Sequence, residues 1–365
     1  MDEIPGNPAD NRLAAGLSEQ AVKEAVEASG YPLQTVVGAQ LRARKFWLAE
    51  EWVFNDLDTN QSRALDLHAT RPLYDQFGKE GQKRVRPELV LLVECKKTDM
   101  PYVFFTSDTR PGVGGAAIPV AGLHADSIVV RTDDDLSSWH FTTVQALGLG
   151  DHPFVAAPPS VALSLSKAAR QGKDIRLSGE DPYKSLVLPL TKALGGYAAR
   201  VQPPKTAWYH DLHIPIALAV IDGPMVQASV TADGVDYALT PWVRVYRHDV
   251  DPAADHFHDR TKLYAIDCVH VAWLTQYLED HLEPFASEFA TAALAHHQEL
   301  ASGRAFASGF GRDSDSGLPE RLRPASIEQR VKRPQRIALG VTSQLSAAVG
   351  SRIPRRRRRH LTDKP

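Results

Sequence analysis

Between Glu88 and Lys96 the chain runs ELVLLVECK, and no other segment limits the fold as tightly. Its unbroken apolar stretch, Leu89 to Val93, fits a strand covered on both faces, since a half-exposed strand alternates apolar and polar positions. Such a strand needs a partner on each edge and a layer above and below. The chain around it supplies both. Leu17 to Ala28 (LSEQAVKEAVEA) has helical spacing with Ser18 as N-cap, and Gly30 ends it. A second helix is predicted from Pro32 to about Arg44, proline occupying the tolerated first turn and Leu33, Val36, Val37 and Leu41 forming one stripe. Phe46 to Phe54 reads as a strand closed by the turn-forming run Asn55 to Asn60. Ser62 to Ala69 (SRALDLHA) alternates as a second strand, and Tyr102 to Thr106 (YVFFT) is a further short one. Helix followed by strands in this order predicts an α/β fold with a mixed central β-sheet flanked by helices.

Further along, residues 110–124 read as loop, while Ser160 to Arg170 and Pro182 to Leu194 look helical, the latter with Asp181 as N-cap. Ile214 to Ile221 is an apolar strand, and Met225 to Thr231 with Val235 to Leu239 make a hairpin around Ala232-Asp233-Gly234. Trp242 to Tyr246 and Lys262 to Val269 are strands, and His270 to Glu283 an amphipathic helix. The expected organisation is a mobile arm over 1–15, a core over 16–150 and an α/β extension over 151–301 that packs on or completes it. From 302 to 365 Gly, Ser, Arg and Pro dominate, which predicts a disordered basic tail.

The composition, 43% hydrophobic and 24% charged, is that of a globular protein with material for a substantial core. Two cysteines, Cys95 and Cys268, are too few for a disulfide framework or a cysteine-based zinc site, and a reducing cytoplasm fits best. No secretory h-region opens the chain, and its apolar runs are shorter than a membrane span. The net charge of -2 conceals clusters, notably Arg355 to Arg359, which matter more to a polyanion than the total.

Chemistry concentrates in Asp66, Glu94 and Lys96. Glu94 and Lys96 lie two apart on one strand, so both leave the same face, while Cys95 points into the core. Charges ending a buried strand are costly without compensation, and a divalent cation held by Asp66 and Glu94 would provide it. Magnesium takes oxygen ligands, is content with one or two carboxylates, and keeps several waters. A lysine beside it can orient or deprotonate an attacking water, or neutralise charge developing on phosphate. Two carboxylates and a lysine are thus a minimal centre for phosphodiester hydrolysis.

Taken in order, GYPLQ (30–34) opening a helix, SRALDLHA (62–69) and LLVECKKTDMPYVFF (91–105) resemble the PD-(D/E)xK nuclease superfamily, over roughly residues 17–106. The resemblance implies a restriction-endonuclease-like core with a C-terminal extension, Asp66 and Glu94 as metal ligands, Lys96 as the catalytic lysine, and Mg2+ as cofactor with Mn2+ as its substitute. It also implies a nucleic-acid substrate, DNA ahead of RNA, and by analogy a restriction or defence setting. Relatives often carry a glutamate on the first core helix, where this chain has Gln34 as fourth member of the site. They often carry an acidic residue two places before the strand aspartate, where it has Ala64. Either change implies weaker metal binding, one ion in place of two, or lost catalysis.

Plainer readings stand beside these. Glu94 and Lys96 alone would also make a surface ion pair, Lys97 a solvated charge, and His68 a structural histidine near Asp66. His248 to Asp259 (HDVDPAADHFHD) matches no strong metal spacing and reads as a polar loop. Trp47, Trp52, Tyr102 and Phe104 are mostly core. The alternative functions are a catalytically decayed module that binds nucleic acid or a protein partner, and a separate partner-binding role for residues 150–300.

Overall fold

A computed structural model describes residues 4–107, 117–125, 127–132, 138–250, 261–308 and 317–325. Two helices open the fold, α1 (Glu19–Ala28), whose N-cap Ser18 accepts from the Ala21 N–H, and α2 (Tyr31–Ala43). Strands β1 (Trp47–Asn55), β2 (Ser62–Pro72), β3 (Val85–Lys97) and β4 (Tyr102–Thr106) follow. The chain continues through β5 (Ser127–Arg131), β6 (Ser138–Thr142), β7 (Val161–Gln171) and β8 (Asp174–Ser178) to α3 (Leu188–Arg200). Strands β9 (His210–Asp222), β10 (Met225–Thr231), β11 (Gly234–Leu239), β12 (Trp242–Val250) and β13 (Thr261–His270) come next. Helices α4 (Glu283–Ala295) and α5 (His297–Ser302) precede β14 (Arg304–Ala307) and β15 (Leu322–Pro324).

Eleven strands form one mixed sheet in the order β1-β2-β3-β9-β13-β12-β7-β4-β10-β11, with β8 added to β7. The fold is therefore α/β, a large mixed sheet flanked by helices. β3 lies inside it, antiparallel to β2 and parallel to β9 along its whole length, Val85 opposite His210 and Lys97 opposite Asp222. Its apolar run sorts by alternation: Leu89, Leu91, Val93 and Cys95 join one core with α2 and α4, while Val90 and Leu92 join a second core with α3. Burial on both faces is what a continuous apolar run requires. A smaller sheet, β15-β14-β5-β6, adds Ile128, Val130, Ala305 and Ala307 to the first core.

Several sequence expectations are corrected. The segment read as a helix at Ser160 to Arg170 is β7, paired with β12, β4 and β8; hydrogen-bonding partners on both edges override the helix propensity of its alanines and basic residues. The helix expected from Pro182 runs from Glu180 through a π-turn (Tyr183–Val187) into α3, with Gly179 and not Asp181 preceding it. Within the tail expected to be largely disordered with possible short helices, the short helix Leu318–Arg321 is present, but so are strands β14 and β15, and Leu318 and Leu322 are buried; the sparse apolar residues there face a core formed by distant segments. Residues 326–365, including Arg355 to Arg359, lie outside the described residues. Among the described residues no helix is long and apolar enough to cross a membrane.

Candidate functional site

The β1–β2 ladder runs in regular register except at one step. Glu50 faces Leu67 and Trp52 faces Leu65, but Glu51 and Asp66, which fall between, form no ladder pair. Glu51 adopts a left-handed φ of 51° there. The consequence shows in the burial: Leu67 joins the core shared with α2, Leu65 the core shared with α3, so the strand turns over at Asp66. A local break that reverses facing is what a β-bulge-like irregularity does, and it re-aims the side chain at the break.

On the other edge, β2 pairs with β3 from Pro72–Glu88 to Leu67–Val93 and stops. β3 goes on against β9 for four more residues, to Lys97, while β2 continues only against β1. The two strands separate at the Asp66 and Glu94 level. Backbone groups freed from a ladder need other partners, and side chains supply them. The Cys95 N–H donates to Asp66 Oδ2 at 2.6 Å, and Gln34 Nε2, from α2, donates to the Asp66 carbonyl at 2.9 Å.

Glu94 and Lys96 leave β3 at this opening, on the face opposite Cys95. Lys96 Nζ donates to Glu94 Oε1 at 2.5 Å. Glu94 is 7% exposed, and among the described residues its Oε2 is buried without a hydrogen-bond partner. Burial pushes the Glu94 carboxyl up to about 7 against the opposing pull of Lys96, and the negative charges of Asp66 and Glu51 add to the rise. Burial also raises Asp66, held back by the Cys95 N–H and by Lys96, with Glu51 again adding. Desolvation, then the charges of Asp66 and Glu94, drive the Cys95 thiol far up, so it is no nucleophile.

A half-satisfied buried carboxylate beside two other acids is the environment a cation relieves. Among the described residues no three His, Cys, Asp or Glu side chains gather tightly enough to hold a metal by themselves. Asp66 and Glu94 are two oxygen donors, and a hard ion such as magnesium takes one or two carboxylates and completes its shell with water. The pair does not fit the closed sphere of a structural zinc.

Asp66, Glu94, Lys96 and Gln34, the four residues that the sequence singles out, thus converge, with Gln34 touching the Asp66 backbone through its amide nitrogen. Glu51 was missed. Its charge raises both Asp66 and Glu94, and nothing local in the sequence marks it, since its place near Asp66 depends on how β1 pairs with β2. Lys97 leaves the other face, as alternation demands, and its Nζ holds the Glu27 carbonyl of α1 at 2.5 Å. His68 stacks on Trp52 (centroids 4.9 Å apart) beside Tyr197, and burial, with Arg200 and His213, lowers it to about 4, so it is a neutral packed ring. Tyr102 and Phe104 are core, but Trp47 is 77% exposed at the start of β1, an edge strand of the sheet. Of the His248 to Asp259 segment, residues 251–260 lie outside the described residues; Asp249 pairs with Lys192.

No protein-family model, curated protein or solved structure matches this chain.

Proposed function

We propose that the chain is a divalent-metal-dependent endonuclease that hydrolyses phosphodiester bonds of nucleic acid, DNA in the first instance, at the opening between β2 and β3. One observation carries the reading. A buried carboxylate, Glu94, with one oxygen unpartnered among the described residues, shares that opening with Asp66 and is paired to a lysine two residues on.

Asp66 and Glu94 would hold magnesium, with manganese as substitute; such an ion supplies acidified water and offsets the charge that builds on phosphoryl oxygens. The chain's own groups do the rest. Glu94 would hold such an ion only as the carboxylate, its proton released. Asp66 is kept in one orientation by the Cys95 N–H, and Gln34 fixes the backbone that carries it. Lys96, once released from Glu94, would orient an attacking water through its ammonium and neutralise charge on the phosphorane. A restriction or defence role follows only by analogy with the nuclease superfamily that the sequence resembles.

Supercoiled plasmid with magnesium or manganese tests this: the native chain nicks it, and Lys96→Ala does not. Equal cleavage by both removes Lys96 from the mechanism.

The second reading, a module that binds without cutting, is favoured by how closed the site is: Lys96 sits on Glu94, Asp66 on Cys95, Gln34 on the Asp66 carbonyl. Magnesium titration calorimetry separates the two. Heat that disappears in Asp66→Ala belongs to the nuclease, and identical traces belong to the module.

A further inference from the structure

At the far end of β3 from Glu94, two arginines meet two exposed rings. The Arg84 guanidinium lies 4.3 Å from the Trp208 ring centroid, and that of Arg86 lies 4.6 Å from the Tyr209 ring. Arg84 is pinned as well, its Nε donating to the Trp208 carbonyl at 3.2 Å. The backbone locks these segments together, because the His210 N–H donates to the Arg84 carbonyl where β3 and β9 begin. Yet the rings remain open: Trp208 is 63% and Tyr209 44% exposed. Lys205 is exposed three residues upstream of Trp208. The nearby acids are Asp211, 4.0 Å from Arg86 and itself largely exposed, and Glu88, two positions along β3, so Arg86 is only loosely paired with Asp211.

We infer that Trp208, Tyr209, Arg84 and Arg86 form a stacking platform for single-stranded nucleic acid, separate from the reaction centre. Each guanidinium covers one face of its ring, so an unpaired base would stack on the exposed remainder while the cation meets the phosphate backbone. A duplex keeps its base faces stacked inside and offers them to no protein ring. A lipid surface fits less well, since burying either ring would drag a guanidinium into hydrocarbon. Eight residues of extended β3 separate Arg86 from Glu94, roughly 26 Å, and α3 covers Val90 and Leu92 between them. The platform therefore holds a strand beyond the cleaved bond. The inference rests on the nucleic-acid substrate proposed above, but not on catalysis.

The test uses the full chain in EDTA at about 150 mM salt, with labelled oligothymidylate of about 15 nucleotides, a duplex of equal length, and anionic vesicles. The expected result is oligothymidylate binding that quenches indole fluorescence, with affinity reduced about tenfold or more in Trp208→Ala and in Arg84→Ala. Trp208→Phe keeps most of the affinity but loses the quenching, a readout that no basic segment without tryptophan can supply. Duplex affinity changes by less than about threefold in all variants. Failure of the native chain to bind the oligonucleotide, equal loss for duplex, unchanged affinity in Trp208→Ala, or preferential capture of vesicles overturns it. Plasmid nicking distinguishes the two readings: intact platform binding without cleavage fails only the nuclease, and cleavage without a Trp208 effect fails only the platform.

Discussion

Glu94 is where the electrostatics of a single residue becomes measurable. Its carboxyl titrates near 7 in the fold against an ordinary 4.5, so between those values the native state holds a proton that the unfolded chain has released. Stability therefore falls as pH rises through this window, and the deficit stays in full above it. Without divalent ions, Glu94→Gln is expected to stabilise the protein at pH 8 by about 2–3 kcal/mol and to change little near pH 4. Urea melts at the two pH values decide it; a variant less stable than the native chain at pH 8 contradicts the raised carboxyl. On the proposed function, the same linkage would make magnesium affinity climb through pH 7 with a proton released per ion, visible as a calorimetric heat that varies with buffer ionisation enthalpy. Asp66 separates geometry from charge. Asp66→Asn keeps an oxygen for the Cys95 N–H and should cost under about 1 kcal/mol, whereas Asp66→Ala orphans that N–H and should cost about 1–3 kcal/mol. Both should abolish nicking, and activity in Asp66→Asn would remove the charge from the mechanism.

Among the elements, the pairing of β2 with β3 sets the site by ending early. Had it continued, the Cys95 N–H would have gone to backbone and Asp66 would have had no reason to turn inward. The sequence carried the strand assignment of SRALDLHA, but not this break, because Leu65 and Leu67 look alike whichever core they enter. A second pair of strands supports the sheet centre. Arg244 on β12 is fully buried and paired twice with Asp267 on β13, at 2.7 and 2.8 Å, while Trp242 and Tyr277 also donate to that carboxylate. Removing one partner strands a buried charge, so Asp267→Ala should cost about 3–5 kcal/mol and lower the urea midpoint. A loss below about 1 kcal/mol would mean water replaces the pair. This network had no legible signal, since Arg244 and Asp267 are ordinary charges in two strands whose pairing only folding reveals.

Across the full chain, the 11-stranded sheet draws on both halves: β9 and β13, from beyond residue 200, lie on the same side of β3, with β9 directly beside it. Separate folding of the first 150 residues is therefore not expected; a fragment ending there should lack the protease resistance and cooperative melt of the full chain, because β3 would lose its parallel partner along 13 residues. What could be read from the amino-acid order was local or periodic: the capped first helix, the apolar run that had to be buried on two faces, and the two-residue spacing that puts Glu94 and Lys96 on one side. Alternation and capping act over a few residues, so they are written in the chain. Long-range packing settled that β7 is a strand, that Glu51 joins Asp66, that Trp208 and Arg84 meet, and that part of the basic C-terminal region is packed. Each of those depends on a partner far away in sequence, and hydrogen bonding and burial against that partner outweigh whatever the local residues prefer.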